Sequence, residues 1–190
     1  MLKTLLVFFL VLSNGTAIMA ATDRTQLAKP EAESQHRVIM GWLESIFIRP
    51  WNLRLTAKLD TGAKTSSLHA DRIEHFSKNG EDWVRFTLGD LEDRKQPPII
   101  VEKPLLRTVN IKCKSEDCQS SKRDVVLLTL CKNGREYQAE FNLVDRSNFN
   151  YPVLLGRAFL KDVALVDANE TFLFKYQQDP CFSKDGPLVP

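Results

Sequence analysis

Leu53-Arg54-Leu55-Thr56-Ala57-Lys58-Leu59 runs directly into Asp60-Thr61-Gly62-Ala63. Apolar Leu53, Leu55, Ala57 and Leu59 alternate with polar Arg54, Thr56 and Lys58. A period of two puts the apolar set on one face of an extended chain, so this is a half-buried strand. The strand ends by presenting a carboxylate, and Thr61 and Gly62 are residues that turn the backbone. The same alternation recurs in Tyr137, Ala139, Phe141 and Leu143 against Gln138, Glu140 and Asn142. Asn79-Gly80, with His75-Phe76 before it and Trp83–Leu88 after it, predicts a tight hairpin. Leu105–Lys112, Val125–Leu130 and residues 151–155 read as further strands, and Lys132–Arg135 as a turn. Residues 89–104 are turn-rich and charged, and Pro97-Pro98 excludes a central strand there. Ala158–Leu160 fits a single helical turn; Val163–Val166 and Thr171–Phe174 read as strands around a hairpin loop at 167–170. With many short strands and no long amphipathic pattern, the fold class is all-β, a barrel or sandwich with short helical turns.

The first twenty residues are of a different material. Lys3 precedes the uninterrupted apolar run Leu5–Leu12, followed by small residues ending Met19-Ala20-Ala21. This is the order of a secretory signal peptide at residues 1–20, with cleavage expected after Ala20, and the run is too short for a stable membrane span. Residues 21–37 are polar and aperiodic, a flexible leader; the folded domain is expected over 38–176 and a C-terminal tail over 177–190. The chain has 190 residues and a formal net charge of +2, with no basic run of the length that nucleic-acid binding needs. Its four cysteines, Cys113, Cys118, Cys131 and Cys181, all follow the leader, as expected of disulfides in an exported protein. Cys113 with Cys118 and Cys131 with Cys181 is the favoured pairing; four-thiolate zinc is disfavoured because tight C-x-x-C knuckles are missing.

Asp60 is the candidate catalytic group. A lone carboxylate does not hydrolyse an amide. Two that share one proton do, one activating water while the other protonates the carbonyl oxygen. Asp-Thr-Gly is also an ordinary turn, and Val153-Leu154-Leu155-Gly156-Arg157 is by itself an ordinary core strand with a turn. The two segments carry more together than apart.

Asp60-Thr61-Gly62-Ala63 followed by Val153–Leu160 resembles the retropepsin-like aspartic peptidases. Leu59–Ala70, Val144-Asp145-Arg146-Ser147, Gly41-Trp42 and Trp83–Phe86 are similar to a bacterial branch labelled ATP-dependent zinc protease. The resemblance implies a closed barrel that pairs as a homodimer, each subunit giving one Asp60, with Thr61 bracing the loops and Gly62 touching the carboxylates. Ala63, Leu154, Leu155, Gly156 and Arg157 would support them from beneath, and residues 75–86 would form the hairpin over the cleft. The implied function is an aspartic endopeptidase, a hydrolase of protein or peptide substrates in the periplasm, with no cofactor. A non-catalytic envelope peptide-binding or assembly domain on the same fold is the alternative.

Two departures bear on that reading. Lys64 follows Asp-Thr-Gly-Ala, and a cation there would favour ionised carboxylates. The zinc and ATP label finds neither H-E-x-x-H nor a Gly-rich loop ending in Gly-Lys-Ser/Thr. Of the three histidines, His36 lies in the leader, and His69 and His75, near Asp71 and Glu74, are the weak candidates for a metal. The stronger expectation is a structural His69 behind the active loop and a surface His75. Ser66 and Ser67 near His69 lack a nucleophile elbow.

Overall fold

The structure is a computed structural model, and it describes residues 37–89, 98–111 and 121–175. The signal-peptide, leader and tail assignments lie outside the described residues, as do Cys113, Cys118 and Cys181.

The strands are β1 (Val38–Ile48), β2 (Leu53–Leu59), β3 (Ser66–His69), β4 (Asp71–Lys78), β5 (Glu81–Leu88), β6 (Ile99–Pro104), β7 (Arg107–Ile111), β8 (Ser121–Lys132), β9 (Arg135–Val144) and β10 (Val153–Leu155). One helix, α1 (Arg157–Val163), then leads into β11 (Ala164–Thr171). Six strands close into a barrel in the order β1-β2-β10-β3-β9-β8, sealed where Phe47 and Ile48 of β1 pair with Cys131 and Leu130 of β8. β11 adds outside β1 and β7 outside β8, while β4, β5 and β6 form a separate three-stranded sheet.

The alternation predicted for β2 holds: Leu53, Leu55, Ala57 and Leu59 are buried. Val126, Leu128 and Leu130 of β8 face Ala139, Phe141 and Leu143 of β9 in the same core. The two Asn-Gly turns take positive φ at both residues, 56° and 81° at Asn79-Gly80 and 50° and 70° at Asn133-Gly134, which suits the twist of the flanking strands.

Three expectations change. Residues 164–171 are one strand, not two around a loop, because β11 runs parallel to the start of β1 and draws Asp167–Thr171 into the ladder. Gly41 marks the bulge there: a Cβ on it would lie 2.5 Å from the Glu170 carbonyl oxygen. The single helical turn is a helix of seven residues. The hairpin expected at 75–86 does form, from β4 and β5 of the three-stranded sheet, whose Val84, Phe86 and Val101 are in the core. Residues 99–104 are strand after all, but at the sheet's edge and not a central one.

Glu44 and Lys132 form a buried ion pair, Oε2 to Nζ 3.1 Å, with side chains 0% and 2% exposed. Glu44 Oε1 also accepts the N–H groups of Gly41 (2.9 Å) and Leu173 (3.1 Å), and Lys132 Nζ donates to the Phe174 carbonyl (3.4 Å). The pair thereby fixes the segment after β11 to β1 and β8. Cys131, beside Lys132, is buried and is not a free thiol.

Candidate active site

β2 carries Asp60 to the edge of the barrel, and the Asp60 N–H donates to the Leu155 carbonyl at 2.9 Å, continuing the parallel ladder with β10. The chain then turns tightly. Asp60 Oδ1 accepts the N–H groups of Gly62 (2.9 Å) and Ala63 (3.2 Å), so the carboxylate is held by its own loop. A side chain at Gly62 would start 3.1 Å from that oxygen, which is why glycine suits the position.

The support comes from about ninety residues along the chain. β10 slots between β2, in parallel, and β3, antiparallel. At its end Gly156 passes so close behind the loop that a Cβ would lie 2.6 Å from the Thr65 carbonyl oxygen. Its N–H donates to Ser66 Oγ (3.1 Å), and those of Arg157 and Ala158 donate to the Ala63 (2.9 Å) and Lys64 (3.0 Å) carbonyls. Arg157 Nη1 donates to the Thr61 (2.8 Å) and Gly62 (2.9 Å) carbonyls. Asp60, Thr61, Gly62, Ala63, Leu154, Leu155, Gly156 and Arg157 thus come together as one cluster. Thr61 itself is exposed on the loop.

The cation on the carboxylate is not Lys64. Lys64 is exposed, and its carbonyl serves the helix. Lys58, two residues before Asp60 and therefore on the same strand face, places Nζ 3.2 Å from Asp60 Oδ2. Partial burial pushes the Asp60 carboxyl up, but the Lys58 hydrogen bond, the Gly62 N–H, the Lys58 charge and the Ala63 N–H outweigh it and hold the group below its ordinary value.

Register extends this face into a floor. Lys58 pairs with Leu154, Leu154 with Ser67, and Ser67 with Asn142, so the four side chains lie in one row across β2, β10, β3 and β9. Beyond Asn142 a cavity of about 320 Å³ opens between Thr65, Val109, Val125 and Phe159.

His69 sits behind the row and is 3% exposed. Its Nδ1 accepts the Arg146 N–H at 2.9 Å, which leaves the ring proton on Nε2, 3.3 Å from Asp71 Oδ2. Ligand atoms of His69, Asp71 and Asp145 lie within 4.8 Å of one another. Both ring nitrogens are engaged within the protein. His75 does not join them; its Nε2 pairs with Asp124 Oδ2 at 3.0 Å. The pairing of His69 with His75 as metal ligands is therefore corrected: neighbours in sequence, they are drawn into separate polar contacts.

Lys58 and Arg146 are site residues to which motif reading assigned no role. Lys58 was legible from its i, i+2 spacing to Asp60. Arg146 was not, since Ser67 and His69, which its side chain and backbone reach, lie nearly eighty residues away.

The arrangement agrees with three comparisons. A protein of unknown function from Legionella pneumophila, known from a crystal structure, is 35% identical and superposes with a TM-score of 0.61 over 73% of this chain and 98% of that one. Two proteins named "Probable alpha-L-glutamate ligase", from Shewanella halifaxensis and Shewanella pealeana, are 33% and 34% identical over 66% and 70% of this chain. The chain spans only 27% of the length of each ligase. The family model described as RimB-like, "Retropepsin-like aspartic endopeptidase RimB", matches residues 39–177. The closed six-stranded barrel, the Asp60 loop and its glycine-backed support are thus those of a member of the RimB-like family of retropepsin-like aspartic endopeptidases, to which this chain belongs.

Proposed function

We propose that the protein is an aspartic endopeptidase that works as a homodimer, with Asp60 of each subunit facing its mate. The observation that carries this reading is the Asp60 carboxylate, held by two loop N–H groups at the end of β2 and backed by Gly156. One ionised Asp60 takes a proton from water as the water oxygen bonds to the scissile carbonyl carbon. The partner's Asp60, protonated, gives its proton to the carbonyl oxygen. The tetrahedral diol then collapses, the C–N bond breaks, and the amine leaves with a proton returned by the pair. The ligase relatives act, by name, on L-glutamate, and peptides containing glutamate are the substrates we favour. Export to the periplasm rests on the sequence of residues 1–20.

The test is cleavage of a diverse peptide library, with EDTA present, from about pH 4 to pH 7 where carboxylate pairs operate. Cleavage that resists EDTA and rises with protein concentration as a dimer forms is the expected result. Cleavage only with added metal would overturn it.

Lys58 favours a second reading, a non-catalytic peptide-binding domain, because a cation on Asp60 opposes the shared proton. A monomer at all concentrations would support it. In the enzyme, Lys58 lowers the pKa at which the pair loses its shared proton, so activity disappears early as pH rises. Lys58→Met removes that charge and is expected to move the alkaline limb of the pH–kcat/KM profile upward. An unmoved limb would show that Lys58 does not act on the pair.

A further inference from the structure

Two guanidinium groups close on the floor row beside Asp60. Arg146 donates from Nη1 to Ser67 Oγ (2.9 Å) and from Nε to the Tyr151 carbonyl (2.9 Å), with its guanidinium 4.5 Å from the centre of the Phe149 ring. Arg123, on β8, donates from Nη1 to Asn142 Oδ1 (3.1 Å) and from Nε to Ser121 Oγ (3.2 Å). Ser67 and Asn142 are direct partners across β3 and β9, so the two arginines are anchored one strand spacing apart. Asn142 is itself held, its Nδ2 donating to Thr65 Oγ1 (3.4 Å) and to the Ser66 carbonyl.

Every one of these partners is neutral. Three other arginines have carboxylate partners: Arg85 has Glu102 at 2.7 Å, Arg49 has Glu136 at 3.2 Å, and Arg107 has Glu140. Arg146 is 5% exposed, and among the described residues it has no carboxylate within ion-pair distance. Burial and the neighbouring Arg123 charge both push its pKa down, and only the nearby Asp60 opposes them. Burying one guanidinium among neutral acceptors beside a second is unfavourable for folding. The cost is recovered when an anion arrives, because among the described residues the hydrogen bonds above leave Nη2 of both arginines without an acceptor.

We propose that Arg123 and Arg146 form a carboxylate subsite on the cleft floor that takes the side chain of an aspartate or glutamate in the bound peptide. Asn142 is a positioning residue that aims Arg123. The inference rests on the peptidase reading and adds the residues that would select the substrate.

The test measures binding, so it needs no turnover. The full chain carrying Asp60→Asn is titrated, by fluorescence anisotropy, with three labelled peptides: one with internal glutamates and an amidated C-terminus, its glutamine counterpart, and that counterpart with a free C-terminal carboxylate. The amidated glutamate peptide is expected to bind about tenfold more tightly than the amidated glutamine peptide, as charge-assisted hydrogen bonds imply. The advantage shrinks with added salt and is lost in Arg123→Gln. Arg146→Lys keeps the charge but not the fork, and is expected to reduce the preference while circular dichroism stays unchanged. Equal binding of the two amidated peptides overturns the subsite. So does a preference that survives both substitutions, which would assign it to Lys58, or one shown only for the free C-terminus. Glutamate preference without any cleavage by the wild type would sink the peptidase reading and leave the subsite standing; cleavage without that preference does the reverse.

Discussion

Asp60→Asn is expected to remove peptide hydrolysis while the barrel stays folded. Asparagine has the shape of aspartate, and its Oδ1 can still accept the Gly62 and Ala63 N–H groups that hold the loop. Its NH2 replaces the oxygen that faces Lys58, so donor meets donor. The Lys58 side chain is 41% exposed and can turn to solvent, which keeps the stability change small. Chemistry is another matter. The amide neither takes a proton from water nor carries one to a carbonyl oxygen, and in a homodimer both halves of the pair are lost together. Each acid–base role is worth about 10²–10⁴-fold, so kcat/KM should fall by at least about 10³-fold. A steady-state assay on the best library peptide, with a thermal melt of the same sample, checks both halves. A folded variant that retains turnover would falsify the Asp60 mechanism.

The second large effect is on stability. Lys132→Met should cost about 3–5 kcal/mol, because it strands the Glu44 carboxylate where no water reaches it. Glu44 and Lys132 are 0% and 2% exposed, and Glu44 also accepts the Gly41 and Leu173 N–H groups, so it does not swing out to solvent. For a domain of this size that corresponds to a fall in Tm of about 10 °C. Adding Glu44→Gln removes the stranded charge yet keeps an acceptor for both N–H groups, so the double variant should recover part of the loss. Chemical denaturation of the wild type, both single variants and the double variant measures the coupling. A loss under about 1 kcal/mol in Lys132→Met would show that Glu44 is not held as a buried ion.

Local chemistry was legible along the chain. The alternation of 53–59 and 137–143 marked the strands, and the two Asn-Gly pairs marked their turns, because side-chain direction and turn geometry depend on neighbours two or three residues away. β1 and β11 were harder. β1 is buried along most of its length, which erases the alternation. β11 is mostly polar and half-exposed, and becomes a strand only through its ladder with β1.

The sequence by itself determined that the protein is an all-β chain carrying a carboxylate on a strand-end turn, and which glycine-backed segment supports it. Tertiary structure alone decided the surroundings of that carboxylate. A period of two states which face a residue occupies but not which strand will lie beside it. Only once β10 is inserted between β2 and β3, and β9 laid against β3, do Lys58, Leu154, Ser67 and Asn142 share a row. Only then do Arg123 and Arg146 anchor on neighbouring residues of that row, with no carboxylate partner among the described residues.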